Sequence, residues 1–354
     1  MIRRSLTLLF LLTACERPEP DASATLEPPA AAVPSASATK AISPAASASA
    51  AASEELFPPL TEEQRRNGFD ECNVYDPLGF GPYSGWVQLP LGKMLIPDKG
   101  GHTPDMGYDV LLHFNGAESV RRLLVQVSRG LVLVLVDKAN GGAYARAVAS
   151  KDIVPVLKKS IERALRKHSK DDRAHIRHFA ISAWSAGTIA VDKILSRNPE
   201  GVDAFVIMDG LHGAWRLHAP REQKSSSLDT RFVAPEIALA QRALRGDTLF
   251  VLTHSHINPG LYPSTYATAG SILDELGLKP VPVDPGSDPY GQTSAVDVKG
   301  LHVWGYRGND VKAHCTQLSR IARIVTELIE PAWDTPAMDR SGPPRPLPGH
   351  APKR

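Results

Sequence analysis

Phe179 to Leu195 reads FAISAWSAGTIAVDKIL, an apolar run that stops at Ser185 and passes at once into an amphipathic helical spacing. Small residues surround the serine in Ala183-Trp184-Ser185-Ala186-Gly187. A serine on a tight strand-to-helix turn, in the pattern G-x-S-x-G, lifts its hydroxyl clear of the sheet as a nucleophile. Alanine stands here for the first glycine, which the turn accepts if it requires only a small side chain. The plainer alternative is a helix N-cap, since a serine oxygen accepts the first free N–H groups of a helix. A serine hydroxyl is a weak nucleophile until a base takes its proton, so the chemical reading also requires a histidine and a group to orient it.

Such a site needs a scaffold that brings distant residues together. GLVLVLVD (130–137) is an uninterrupted apolar run of strand length, as expected when both faces of a sheet are covered. YDVLLHFNG, VDAFVIMDG and DTLFVLTHS read as further strands, and SGWVQLPLGKMLIP (84–97) as an antiparallel entry strand or hairpin. Helical spacings lie between them, AVDVKGLHVWGYRG contains a last strand, and AHCTQLSRIARIVTELI closes the pattern. Strands alternating with helices call for an α/β three-layer sandwich with a mostly parallel central sheet. Sites in such sheets form at the carboxyl ends of the strands. Those ends carry His113 to Gly116, then Asp137, Ser185, Asp209 and Thr253-His254-Ser255-His256.

This order resembles the α/β-hydrolase superfamily across most of 84–330. The resemblance rests on H-x-x-G at 113–116, the elbow at 183–187, an acid after the following strand at Asp209, and a late histidine at His314. Chain order Ser, Asp, His is the order of that fold. It implies that Ser185 attacks an acyl carbon, that His314 takes and returns the proton, and that Asp209 orients the histidine. The oxyanion donors would be backbone N–H groups at Phe114, Asn115, Gly116 and Ala186. His113, Trp184, His212, His254 and His256 would line the substrate, with the loop 213–233 shaping the pocket. The resemblance implies a serine esterase, or an acyltransferase if another alcohol replaces water, and it implies no cofactor. The superfamily's more usual acid lies one strand later, where this chain has no carboxylate; Asp284 and Asp288 are the alternatives to Asp209. His302, inside a strand, reads as a packed residue.

Two other classes stay open. THSHI places His254 and His256 on one face of a strand, and with Asp209 and His212 these could serve a metal hydrolase. The usual H-x-H-x-D extension is absent because Asn258 takes the acid's place. A domain of this fold could also bind a cell-envelope ligand without turnover, since fold does not fix function. KANGG (138–142) has no P-loop lysine pattern, so phosphate binding there is set aside.

The ends of the chain concern its address. Arg3 and Arg4 precede a short apolar run, SLTLLFLLTA, too short to span a bilayer, which takes about 20 residues. Leu12-Thr13-Ala14-Cys15 resembles the lipobox of bacterial lipoproteins. That resemblance implies a leader over 1–14, a lipidated Cys15 and an exported, membrane-anchored protein of the cell envelope. Residues 15–54 are rich in Ala, Pro and Ser and read as a flexible tether, spanning on the order of 35 Å as a coil. The folded domain is expected over 55–334, followed by a disordered Pro-rich tail over 335–354. A net charge of +2 gives no basis for nucleic-acid binding. The two resemblances imply as partners an acyl substrate, either a small molecule or part of the cell envelope, and the membrane through the lipid. An exported compartment permits a disulfide between Cys72 and Cys315, the alternative being two separate buried thiols.

Overall fold

The computed structural model describes Cys72 and residues 76–197, 200–284, 288 and 291–342. The expected leader 1–14, the lipidated Cys15 and the tether 15–54 lie outside those residues. None of the described helices is long and apolar enough to cross a membrane.

The central strands are β3 (Gly107–Phe114), β4 (Val132–Val136), β5 (His175–Trp184), β6 (Ala204–Met208), β9 (Leu249–His254) and β12 (Leu301–Tyr306). They run parallel in the order β4-β3-β5-β6-β9-β12. Antiparallel strands extend both edges. On one side are β1 (Val87–Gln88) and β2 (Lys93–Leu95); on the other are β11 (Gln292–Val298) and β10 (Val281–Pro282). A separate pair, β7 (Ala214–Trp215) and β8 (Leu228–Asp229), lies in the loop after β6.

The apolar runs explain the layering. Val132, Val134 and Val136 of β4 enter one core, while Leu133 and Leu135 enter the other. Phe205 and Ile207 of β6 divide from Val206 and Met208 in the same way. Successive side chains of a strand point to opposite faces, so an unbroken apolar run fits only a sheet covered twice. Complete burial of such a side chain contributes roughly 1.5–3 kcal/mol, and a charge at Val134 would have no wet face to turn to.

One face is covered by α1 (Ala117–Val127) and α7 (Val311–Ile324), which pack on each other. The core on the other face draws its helical residues from α2 (Gly141–Ala147), α3 (Ile153–Ser169), α4 (Thr188–Leu195), α5 (Ala234–Arg245) and α6 (Thr265–Glu275). The three-layer α/β sandwich expected from the sequence is therefore the observed fold. The strand order reverses at β3, with β4 on one side and β5 on the other, which makes the carboxyl ends of β3 and β5 the place where such a sheet is expected to carry a site.

Two boundaries differ from the sequence reading. The stretch expected to contain one last strand folds as the hairpin β11–β12, because alternating apolar residues flank the turn at Lys299-Gly300. The expected tail from 335 is also corrected. After α8 (Glu330–Trp333), Thr335 is fully buried and donates to Asp109 at 2.9 Å, and Met338 is 6% exposed. Met338 and Asp339 donate their N–H groups to the Arg129 and Lys99 carbonyls. This segment adds backbone bonds at the amino ends of the strands, so it belongs to the domain despite its prolines.

Candidate active site

Ser185 follows the last residue of β5 and opens a tight turn that leads into α4. Its φ is 51°, a left-handed conformation that is sparsely populated for a residue with a side chain. Gly187 allows the turn to pass close under β3: a Cβ there would lie 2.3 Å from the Phe114 carbonyl oxygen. Ala183, the departure from the G-x-S-x-G pattern, is fully buried in the core beside β3 and β6.

Asp209 follows β6 and is also left-handed, at φ 44°. Gly210 brings its turn against the elbow, since a Cβ at 210 would lie 2.3 Å from the Ser185 carbonyl oxygen. His314 sits in the first turn of α7, whose start is fixed by Asp310 accepting the Ala313 N–H at 2.8 Å. The three side chains form one relay. His314 Nδ1 lies 2.8 Å from Asp209 Oδ2, and His314 Nε2 lies 2.8 Å from Ser185 Oγ. The carboxylate only accepts, so Nδ1 carries the proton and Nε2 is left to accept from Ser185. The Asp209 carboxylate is fully buried, while the His314 side chain keeps 22% exposure. Burial pushes the Asp209 carboxyl up, but its bonds from His314 and Ser255 outweigh that and hold it below the usual carboxylate range.

Trp184 does not simply line the site. Its indole lies over the His314 imidazole with ring centroids 4.9 Å apart, and its Nε1–H donates to the His314 carbonyl at 3.0 Å. Cys315 is bonded to Cys72, with Cα atoms 4.8 Å apart, so the turn carrying His314 is also tied to the amino-terminal segment.

The expected oxyanion loop is corrected in part. Asn115 has φ 77° and Gly116 has φ 83°, and this left-handed pair turns the chain toward the end of β4. The Asn115 N–H donates to the Val136 carbonyl at 3.0 Å, and the Gly116 N–H to Asp137 Oδ1 at 2.9 Å. Both backbone donors are engaged there and do not meet Ser185. Asp137 also takes the Ala117 N–H and so caps α1. The Asn115 side chain instead donates to the Trp184 carbonyl at 3.1 Å and accepts from Tyr144 at 3.2 Å, which ties this loop to the elbow. Phe114 is buried in β3, paired with Val136 and Ala183. Ala186 is the residue after Ser185 in the elbow turn.

The histidines expected at the substrate divide. His113 is fully buried, between Ser182 Oγ at 2.8 Å and the Asn115 carbonyl at 2.6 Å. Burial drives its pKa down to about 4, against the Asn115 bond, so it is a neutral prop for the turn above it and lines nothing. His254 is buried as well, and burial, with His256 next, lowers its pKa to about 4. His256 is exposed, and its ring lies 4.6 Å from that of Tyr266. His212 is exposed beside Tyr262, with Nδ1 held by the Pro263 carbonyl at 2.9 Å. Among the described residues no group of three or more His, Cys, Asp or Glu side chains is arranged to hold a metal ion. Asp288 faces Arg323 at 3.5 Å, and His302 faces Asp297 at 2.7 Å; neither joins the relay.

Sequence reasoning did not single out Ser255. It is buried after β9 and donates twice to Asp209, from its N–H to Oδ1 at 2.9 Å and from its hydroxyl to Oδ2 at 2.7 Å. Its only sequence signal was a polar residue at a strand end.

No family model matches the sequence, and no curated protein sequence matches it. Among solved structures, the enterochelin esterase of Shigella flexneri aligns over 73% of this chain and 63% of its own, at 12% identity and a TM-score of 0.40. This chain thus spans less than two thirds of that enzyme's length. The acetyl xylan esterase of Aspergillus awamori aligns over 63% of this chain and 92% of its own, at 11% identity and a TM-score of 0.36. What the site does is read from its own geometry.

Proposed function

We propose that the protein is a serine hydrolase that cleaves a carboxylic ester or related acyl bond. The observation that carries this reading is the continuous relay from Ser185 through His314 to Asp209, with both contacts at 2.8 Å. Ser185 Oγ attacks the acyl carbon while its proton passes to His314 Nε2. Asp209, ionised and facing Nδ1, stabilises the imidazolium that forms. The Ala186 N–H, next to the nucleophile, supports the oxyanion. Collapse of the tetrahedral adduct breaks the bond to the leaving alcohol, which takes the proton from Nε2. Water then attacks the acyl-enzyme with His314 as base, and Ser185 is restored. A second alcohol in place of water makes the same site an acyltransferase. With the expected lipid at Cys15, this chemistry would operate beside a membrane of the cell envelope, after export of the protein.

A fluorophosphonate probe tests the reading. Labelling of the full chain should vanish in Ser185→Ala and in His314→Ala. Turnover of an activated ester should fall by orders of magnitude, to at most the roughly 10³–10⁴-fold acceleration over water that oxyanion stabilisation and binding leave in such triads. The double variant should be hardly worse than either single one, because the pair acts as a unit. Labelling that survives Ser185→Ala, or activity lost to a chelator and restored by zinc, would refute it.

A further inference from the structure

Asp209 accepts three hydrogen bonds, and two of them come from one residue just beyond the end of β9. Ser255 Oγ also accepts the Ile257 N–H at 3.2 Å, so its hydroxyl proton is directed to the Asp209 carboxylate. The donors are divided with a purpose. The Ser255 N–H occupies Oδ1, while the Ser255 hydroxyl shares Oδ2 with His314. Rotation of the carboxylate would break at least one of these bonds, so Oδ2 is held toward the imidazole. Asp209 needs such a brace because its own backbone is left-handed, at φ 44°, and its side chain is fully buried.

We infer that Ser255 is a positioning residue for the triad acid, one that fixes which oxygen faces His314 and keeps the acid ionised. This rests on the hydrolase reading above. Its physical content is a proton balance. When His314 takes the Ser185 proton, the Nδ1 proton faces a carboxylate already accepting two other donors. Such a carboxylate is a weak base. The proton therefore stays on Nδ1, and the positive charge stays on the imidazole, where the leaving alcohol can collect a proton from Nε2. Ser255 thus acts through Asp209 and His314 without touching substrate.

The test is steady-state hydrolysis of p-nitrophenyl acetate by the full chain carrying Ser255→Ala, Ser255→Thr, Asp209→Ala, the Asp209→Ala/Ser255→Ala pair, or Ser185→Ala. A charge-assisted hydrogen bond lost at this position should lower kcat about 10- to 100-fold with KM unchanged. Ser255→Thr, which keeps the hydroxyl, should recover most of kcat. In the Asp209→Ala background Ser255→Ala should cost less than about 3-fold, because the group it serves is already gone. Full kcat in Ser255→Ala, or an equal loss with and without Asp209, would overturn the inference. Those outcomes leave the hydrolase reading intact, whereas undiminished activity in Ser185→Ala would remove that reading and the inference with it.

Discussion

Replacing Cys72 by serine removes the covalent tie to Cys315 and leaves the α7 sequence untouched. The bond spans 243 residues of chain. Loop-closure entropy for a cross-link of that span amounts to roughly 5 kcal/mol, an upper figure because unfolded-state structure reduces it. A domain of this size shifts its melting point by roughly 2–4 °C for each kcal/mol, so Cys72→Ser should melt about 10 °C below the parent. Equilibrium denaturant unfolding should place the loss at roughly 3–5 kcal/mol. Catalysis is expected to respond differently. His314 is held by Asp209 and Ser185 at 2.8 Å each and by the indole of Trp184, none of which is covalent. The kcat of the folded variant at 25 °C should stay within a few-fold of the parent. A loss of stability below about 1 kcal/mol would refute the entropic reasoning. A collapsed kcat in a protein that remains folded would show that the disulfide, and not the hydrogen-bonded relay, positions the histidine.

Three further perturbations probe the scaffold. Gly210→Ala drives a Cβ to within 2.3 Å of the Ser185 carbonyl oxygen, so it should destabilise by roughly 1–3 kcal/mol and lower kcat; Gly85→Ala, with nothing within 4 Å, is the neutral control, and equal unfolding of the two would contradict the close approach. Glu236 is fully buried with neither carboxylate oxygen partnered, and burial, with Asp192 next, raises its pKa to about 8. Its folded value lies above its unfolded one, so its contribution is fully present below about pH 4.5 and is lost as pH rises toward about 8, at roughly 1.4 kcal/mol per unit. Glu236→Gln should flatten that slope in denaturant unfolding at pH 5, 6, 7 and 8; an unchanged slope would assign the effect elsewhere. A chain ending at 334 loses Thr335 and Met338 from buried sites and should be less stable than one ending at 342 by roughly 2–5 kcal/mol, with equal midpoints as the refuting result.

What the sequence made legible was what depends on local period and on strand ends. The run VLVLV could fit only a doubly covered sheet, and it does. Ser185 and Asp209 were singled out at strand ends and His314 by the resemblance in chain order, and they are the three that hydrogen-bond. The rest depended on contacts between distant segments. The donors at Asn115 and Gly116 were misassigned because their partners, Val136 and Asp137, lie at the end of the neighbouring strand and just beyond it. His113 shares its strand end with polar residues, yet its alternation places it inside the sheet layer. Ser255 acquires its partner only through the pairing of β6 with β9. The segment from 335 to 341 has tail-like composition and is held by backbone bonds, which no side-chain pattern announces.

The most direct measurement is a rapid-quench reaction of the full chain with p-nitrophenyl acetate, followed by mass mapping of the quenched protein. The account predicts a burst of p-nitrophenol near one equivalent per chain, an acetyl group on the peptide carrying Ser185, and the loss of both in Ser185→Ala. An acetyl group on another residue, or a burst that persists without the Ser185 hydroxyl, would contradict it.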